Sequence, residues 1–170
     1  IYQSQKFLNF KQTFKIFFFN PKVMNYLAHT FLSYSDEQIV GNIIGDFIKN
    51  KNRYDYPEGI QQGITLHRAI DAFTDVHPKV LEAKKVFQPI VRLYSGAFVD
   101  VTFDYFLAHD TSLKSEKEWR DFSSHVYEVL NKYEEILPET FRKILPRMEK
   151  DNWLYNYRFD WGMEYSITNV

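Results

Sequence analysis

The chain has 170 residues, 45% of them hydrophobic and 25% charged, enough for one domain with a sizeable core and unlike any disordered, collagenous or low-complexity composition. No apolar run approaches the roughly 20 residues that a membrane span needs, and a net charge of -1 gives no reason to expect nucleic acid as a partner. With no cysteine, disulfide frameworks, thiolate zinc sites and a cysteine nucleophile are excluded, so any metal must be held by His, Asp or Glu.

The first 23 residues carry Lys6, Lys11, Lys15 and Lys22 and no acid, which leaves 17 basic against 22 acidic residues from Met24 onward. The short apolar run Ile16-Phe17-Phe18-Phe19 is followed by Asn20-Pro21 rather than by a small-residue cleavage site. Residues 1–23 are therefore expected to be a leader or, by preference, translated sequence ahead of a start at Met24. From there to Val170 the periodicity is helical, without convincing strand alternation, and predicts an all-α domain.

Tyr26, Leu27 and Leu32 predict a short first helix. Ser35-Asp36-Glu37-Gln38 reads as a capping box that opens a second, running to about Lys49 with Ile39, Val40, Ile43, Ile44, Phe47 and Ile48 on its apolar side. Pro57 suits the first position of a third helix, which should stop near His77-Pro78. A fourth is expected over roughly 79–87, and after a weak point at Ser95-Gly96 the segment 98–107 reads as a deeply packed fifth. Ser115 and Glu118 form another capping box, ahead of a stripe of Trp119, Phe122, Val126, Val129, Leu130 and Tyr133. Pro138 opens a shorter helix, and a last one begins near Trp153 and still runs where the sequence stops, so a truncated C-terminus is expected.

The chemistry lies in polar residues on inward faces. Asp46 follows Ile39 by seven residues and Ile43 by three, and Ile60, Ile64, His67, Asp71 and Asp75 fall at spacings of four, three, four and four along one helical stripe. Asp100 and Asp104 lie four apart in one of the most apolar stretches. Taken singly, each has a structural alternative: Asp46 paired with Lys49 or Arg53, His67 hydrogen-bonded in the core, Asp71 paired with Arg68. Together they would leave a large negative excess in the core, because Arg68 is the only base within these motifs and isolated buried carboxylates are costly. His29 is a further candidate; His109, five residues after Asp104, either supports the site from behind its ligands or simply ends a helix, and His77 and His125 carry little weight. Carboxylates with one or two imidazoles suit manganese or magnesium, with iron or zinc also compatible. Such a site supports hydrolysis, with Arg68 available to clamp a phosphate. Gly41-x-x-x-Gly45 falls inside a helix, where small residues serve close packing rather than phosphate binding.

Four motifs, Met24-Asn25-Tyr26-Leu27-Ala28-His29, Gly41-Asn42-Ile43-Ile44-Gly45-Asp46-Phe47, Gly63-Ile64-x-x-His67-Arg68-x-Ile70-Asp71-x-x-x-Asp75 and Asp100-x-x-x-Asp104-x-Phe106-Leu107, resemble in order and spacing those of the acyl carrier protein phosphodiesterase family, a divergent branch of the HD phosphohydrolases. The resemblance runs from Met24 nearly to the end and includes Trp153-Leu154 and Tyr157-Arg158. It implies a single HD-like helical domain in a cytoplasmic enzyme, and Mn2+-dependent hydrolysis (with Mg2+ or Fe2+ as alternatives) of the diester joining 4'-phosphopantetheine to serine of holo-acyl carrier protein. Carried over by motif, Asp46, His67, Asp71 and Asp104 are the expected metal ligands, His29 and Asp100 complete or support the site, and Arg68 faces the phosphate. His67 and Asp71 are not adjacent as in ordinary HD proteins, so the ligand set stays open. An HD-type phosphohydrolase of a nucleotide or small phosphate ester, and a non-catalytic helical binding protein, are the alternative readings. The carrier protein is acidic, and Lys79, Lys84, Lys85 and Arg92, or Arg142, Lys143, Arg147 and Lys150, offer basic clusters to meet it.

Overall fold

The structure, a computed structural model, describes residues 25–168; the basic extension predicted at residues 1–23 lies outside the described residues. Among these, helices and 3-10 turns joined by short loops make up the structure, with no strand, as the periodicity implies, and no helix is long and apolar enough to cross a membrane. Helix α1 (Tyr26–Phe31) leads into α2 (Asp36–Ile44), whose start is set by the Ser35 side chain accepting from the Gln38 backbone N–H. The reciprocal arm of the expected capping box is displaced by one residue, since Gln38 Oε1 accepts from the amide of Tyr34.

Helix α2 ends earlier than its apolar pattern suggests. From Gly45 to Phe47 the chain tightens into a 3-10 turn, and a second such turn covers Asn50–Asp55. Gly45 lies against a neighbouring helix here, where a Cβ would collide with the His67 imidazole. Helix α3 (Glu58–Val76) packs on α2 more extensively than any other pair. Gly41 and Gly63 meet at the crossing, where a Cβ on Gly63 would lie 2.5 Å from the Gln38 carbonyl and 2.9 Å from the Gly41 Cα. The two backbones touch there, as the small-residue spacing of α2 leads one to expect.

Helix α4 (Pro78–Val91) continues past Phe87, with Pro89 in its last turn on an exposed face where water can serve the carbonyl it leaves unpaired. It ends at Arg92, which holds a positive φ of 52°. After the 3-10 turn Arg92–Tyr94, helix α5 starts at the supposed weak point and spans Ser95–His109. Helix α6 (Glu116–Lys132) has the complete Ser115/Glu118 capping box. Helix α7 (Glu139–Lys150) follows Pro138, and the predicted last helix is two, α8 (Trp153–Asn156) and α9 (Asp160–Thr168). The core gathers Leu27, Ile43, Ile44, Ile60, Ile64, Leu130, Phe141 and Leu154 between α1–α3 and α6–α8. This leaves the polar ends of α1, α2 and α3 at one edge, against α4 and α5.

Candidate metal centre

Three elements converge at that edge. Asp46 comes from the turn after α2, His67 and Asp71 from successive turns of α3, and His29 from α1. Asp46, His67 and Asp71 each present a ligand atom within 4.8 Å of the others. His67 Nε2 lies 3.5 Å from Asp46 Oδ1 and 3.3 Å from Asp71 Oδ2, while His29 Nε2 lies 3.3 Å from Asp71 Oδ1. The two imidazoles stack with centroids 4.4 Å apart.

Asn42 fixes the state of His29. Its Nδ2 donates to the His29 carbonyl at 2.7 Å and to Ser33 Oγ at 3.1 Å, so the Asn42 oxygen must be the atom 2.6 Å from His29 Nδ1. An amide oxygen only accepts, so His29 Nδ1 carries the proton and Nε2 faces Asp71 with its lone pair or, in the imidazolium, a second N–H.

Buried His67 has neither ring nitrogen in a hydrogen bond of good geometry. Burial draws its pKa down, but the carboxylates of Asp46 and Asp71 outweigh this and hold it up at about 9. Burial pushes the Asp71 carboxyl up, and the two histidines overcome this to hold it well below the usual range. A buried imidazole nitrogen set between two carboxylates, without a hydrogen bond of good geometry, is a donor set that fits a divalent cation, whose charge would replace the proton on His67. Asp46, His67 and Asp71 could therefore hold a metal ion.

The family model described as acyl carrier protein phosphodiesterase matches residues 24–170. The chain belongs to the acyl carrier protein phosphodiesterase family. Relatives named acyl carrier protein phosphodiesterase from Enterobacter sp. (strain 638) and from Yersinia pestis are each 32% identical to it, over 137 and 136 residues, covering 79% of this chain and 71% and 70% of theirs. The relative of that name from Photorhabdus laumondii is 29% identical over 136 residues, again 79% of this chain and 69% of its own length. No solved structure matches.

The family motifs come together unevenly. Asp104 lies outside the cluster that could hold a metal: it is fully buried beneath α1, its two oxygens accepting from the amides of Leu27 at 3.0 Å and Ala28 at 2.9 Å. Burial pushes its carboxyl up while those amides pull it down. It anchors the start of the helix that carries His29. Arg68 donates from Nη2 to the Ile48 carbonyl at 3.0 Å, tying down the chain just beyond Asp46.

Asp100 is half-buried. Burial pushes its carboxyl up to about 6, Lys84 pulls it down and Asp71 pushes it further, so it sits in the field of the site. Its sequence context groups Lys84 with the basic cluster of Lys79, Lys85 and Arg92. Its side chain is only 24% exposed and reaches Asp75 Oδ1 at 2.8 Å. Helical spacing on α4 could have flagged it, since Val80, Lys84, Phe87 and Val91 fall on one stripe. The other histidines serve elsewhere: His77 caps α4, His109 meets the Tyr105 carbonyl, and His125 lies 3.2 Å from Asp36.

Proposed function

We propose that the protein hydrolyses the phosphodiester joining 4'-phosphopantetheine to a serine of holo-acyl carrier protein, at a divalent-cation site held by Asp46, His67 and Asp71, with Mn2+ as the first choice and Mg2+ or Fe2+ as alternatives. The observation that carries this reading is the buried His67, its Nε2 between two carboxylates and without a hydrogen bond of good geometry, in a chain of this family. Cytoplasmic action and an HD-like arrangement belong to the same proposal.

A cation held by Asp46, His67 and Asp71 would supply charge for the phosphoryl oxygens and lower the pKa of water there. The chain's own groups do the rest. His29, its Nδ1 proton pinned by Asn42, offers Nε2 to take the proton of the attacking water. Water adds at phosphorus, the bond from phosphorus to the serine oxygen breaks, and that oxygen needs a proton to leave as apo-carrier protein. Asp100 is suited to give it, because a carboxyl raised to about 6 keeps a useful fraction of its acid form near neutrality. Arg68 has N–H groups beyond the one spent on Ile48 and would clamp a phosphoryl oxygen. Asp104 supports His29 from beneath α1.

The test is to incubate purified protein and Mn2+ with holo-acyl carrier protein and follow the intact mass. Loss of the phosphopantetheine mass, abolished by chelator, is expected. An unchanged carrier protein together with cleavage of a nucleotide or small phosphate ester would replace this reading with the broader phosphohydrolase one.

A further inference from the structure

Helix α4 joins the site to the surface. Through Lys84 it reaches Asp75 on α3, and that same lysine acts on Asp100, which also feels Asp71 and His29. Its outer side is unusual for a solvated helix: Val86 is 68% exposed, Ile90 65% and Leu93, just past its end, 96%. Between 78 and 92 the chain carries four cations and one acid, although the chain from Met24 onward has an excess of five acids. Lys85 and Arg92 are exposed and make no ion pair among the described residues. The chain also turns at Arg92 with a positive φ, an uncommon conformation for a side chain other than glycine.

Helix α7, the other basic element, differs in its acid content and its apolar exposure, although each element pairs two of its four cations, on α4 Lys79 with Glu82 and Lys84 with Asp75. Its four cations share it and the residue after it with Glu139, Glu149 and Asp151, Lys143 and Arg147 are paired with two of those acids, and it exposes no large apolar side chain. It has the make-up of a solvated face. Apolar groups flanked by unpaired charge are the make-up of a protein interface, where the apolar part supplies affinity and the charges steer and select.

We propose that the exposed side of α4 and its Arg92–Tyr94 turn is the docking surface for an acidic protein partner, the carrier protein that brings the diester to Lys84 and the metal centre. This rests on the function proposed above. Lys85 and Arg92 meet the partner's carboxylates, and Val86, Ile90 and Leu93 take its apolar side chains. Arg142 and Lys143 on α7 take no part.

The experiment compares wild type, the K85E/R92E double variant and the R142E/K143E control. Hydrolysis is measured on holo-acyl carrier protein and on a small phosphopantetheinyl-serine diester, and binding by anisotropy of labelled carrier protein. K85E/R92E is expected to raise KM for the carrier protein about tenfold or more, with kcat and cleavage of the small diester unchanged. The control should match wild type, and the wild-type KM should rise with salt. Equal KM values for wild type and K85E/R92E overturn the docking surface and leave the proposed activity intact. If wild type cleaves neither substrate the activity fails, and the docking surface then stands or falls on whether K85E/R92E weakens binding of the carrier protein. A change of sedimentation from dimer to monomer in K85E/R92E without a change in KM assigns the face to a second copy of this chain, and overturns the proposal.

Discussion

The two halves of α3 are built to opposite rules. From Glu58 to His67 the helix is set into the core: Ile60, Gly63, Ile64 and His67 are buried, and its backbone touches that of α2. From Arg68 to Val76 it buries nothing fully, exposes Phe73 and Val76, and carries Asp71 and Asp75 toward α4 and α5. The stripe that supplies isoleucines to the core in the first half supplies carboxylates to the site in the second. His67 stands at the junction. A rigid first half thus holds the second at a fixed distance from α1 and the Asp46 turn, and the working carboxylates need no burial of their own to be well placed.

This contrast predicts that mutations in the two halves fail differently. Asp71→Ala should lower hydrolysis of the carrier protein by at least about a hundredfold and reduce bound metal, because it removes a proposed ligand and the partner of both imidazoles. Asp71 is 45% exposed, so the thermal midpoint should move little. Full activity with a normal metal content in this variant, measured by mass change and elemental analysis, would break the division and the proposed centre with it.

Gly63→Ala tests the other half. The added methyl meets the backbone of Gln38 and Gly41, which cannot rotate away as a side chain could. A loss of roughly 2–3 kcal/mol is expected, read from urea denaturation as a lower midpoint at an unchanged slope. Activity per folded molecule should fall less than in Asp71→Ala. If Gly63→Ala is as stable as wild type, the first half of α3 is not the rigid scaffold.

Much of this was legible in the sequence, and the gaps have physical causes. Caps at Ser115 and Pro138 are local chemistry, and the helices they open begin where expected. The spacing of His67 and Asp71 fixed their common face before any tertiary contact was known. What the sequence could not reveal depended on neighbours. Helix α2 gives way to a 3-10 turn after Ile44, at a point where Gly45 lies so close to the His67 ring that no Cβ fits, a constraint set by α3. Asp100 and Asp104 share one stripe of α5, yet one sits in the field of the site and the other under the α1 amides. Helical spacing assigns a face and not a depth along it. Asn42 looked like part of a motif without a role, since its partner lies thirteen residues away on another helix.

His67 joins the two halves, and pH offers the finest way to probe it. In metal-free protein its pKa is held at about 9 by the Asp46 and Asp71 carboxylates, above the ordinary 6.5. Between those values the native state binds more protons than the unfolded chain, so stability falls as pH rises. The contribution is complete below 6.5 and gone above about 9, and amounts to at most about 3 kcal/mol. Asp71 behaves in the opposite sense: its depressed pKa adds stability that is present above the ordinary carboxylate range and lost only in strong acid. Chelator-treated protein should therefore unfold at a lower urea concentration at pH 9 than at pH 6. Metal competes with the proton on His67, so the stabilisation gained by adding Mn2+ should grow over the same interval. A flat metal-free profile between pH 6 and 9 would mean that His67 is not charged against Asp46 and Asp71, and that the junction between scaffold and site is made by packing alone.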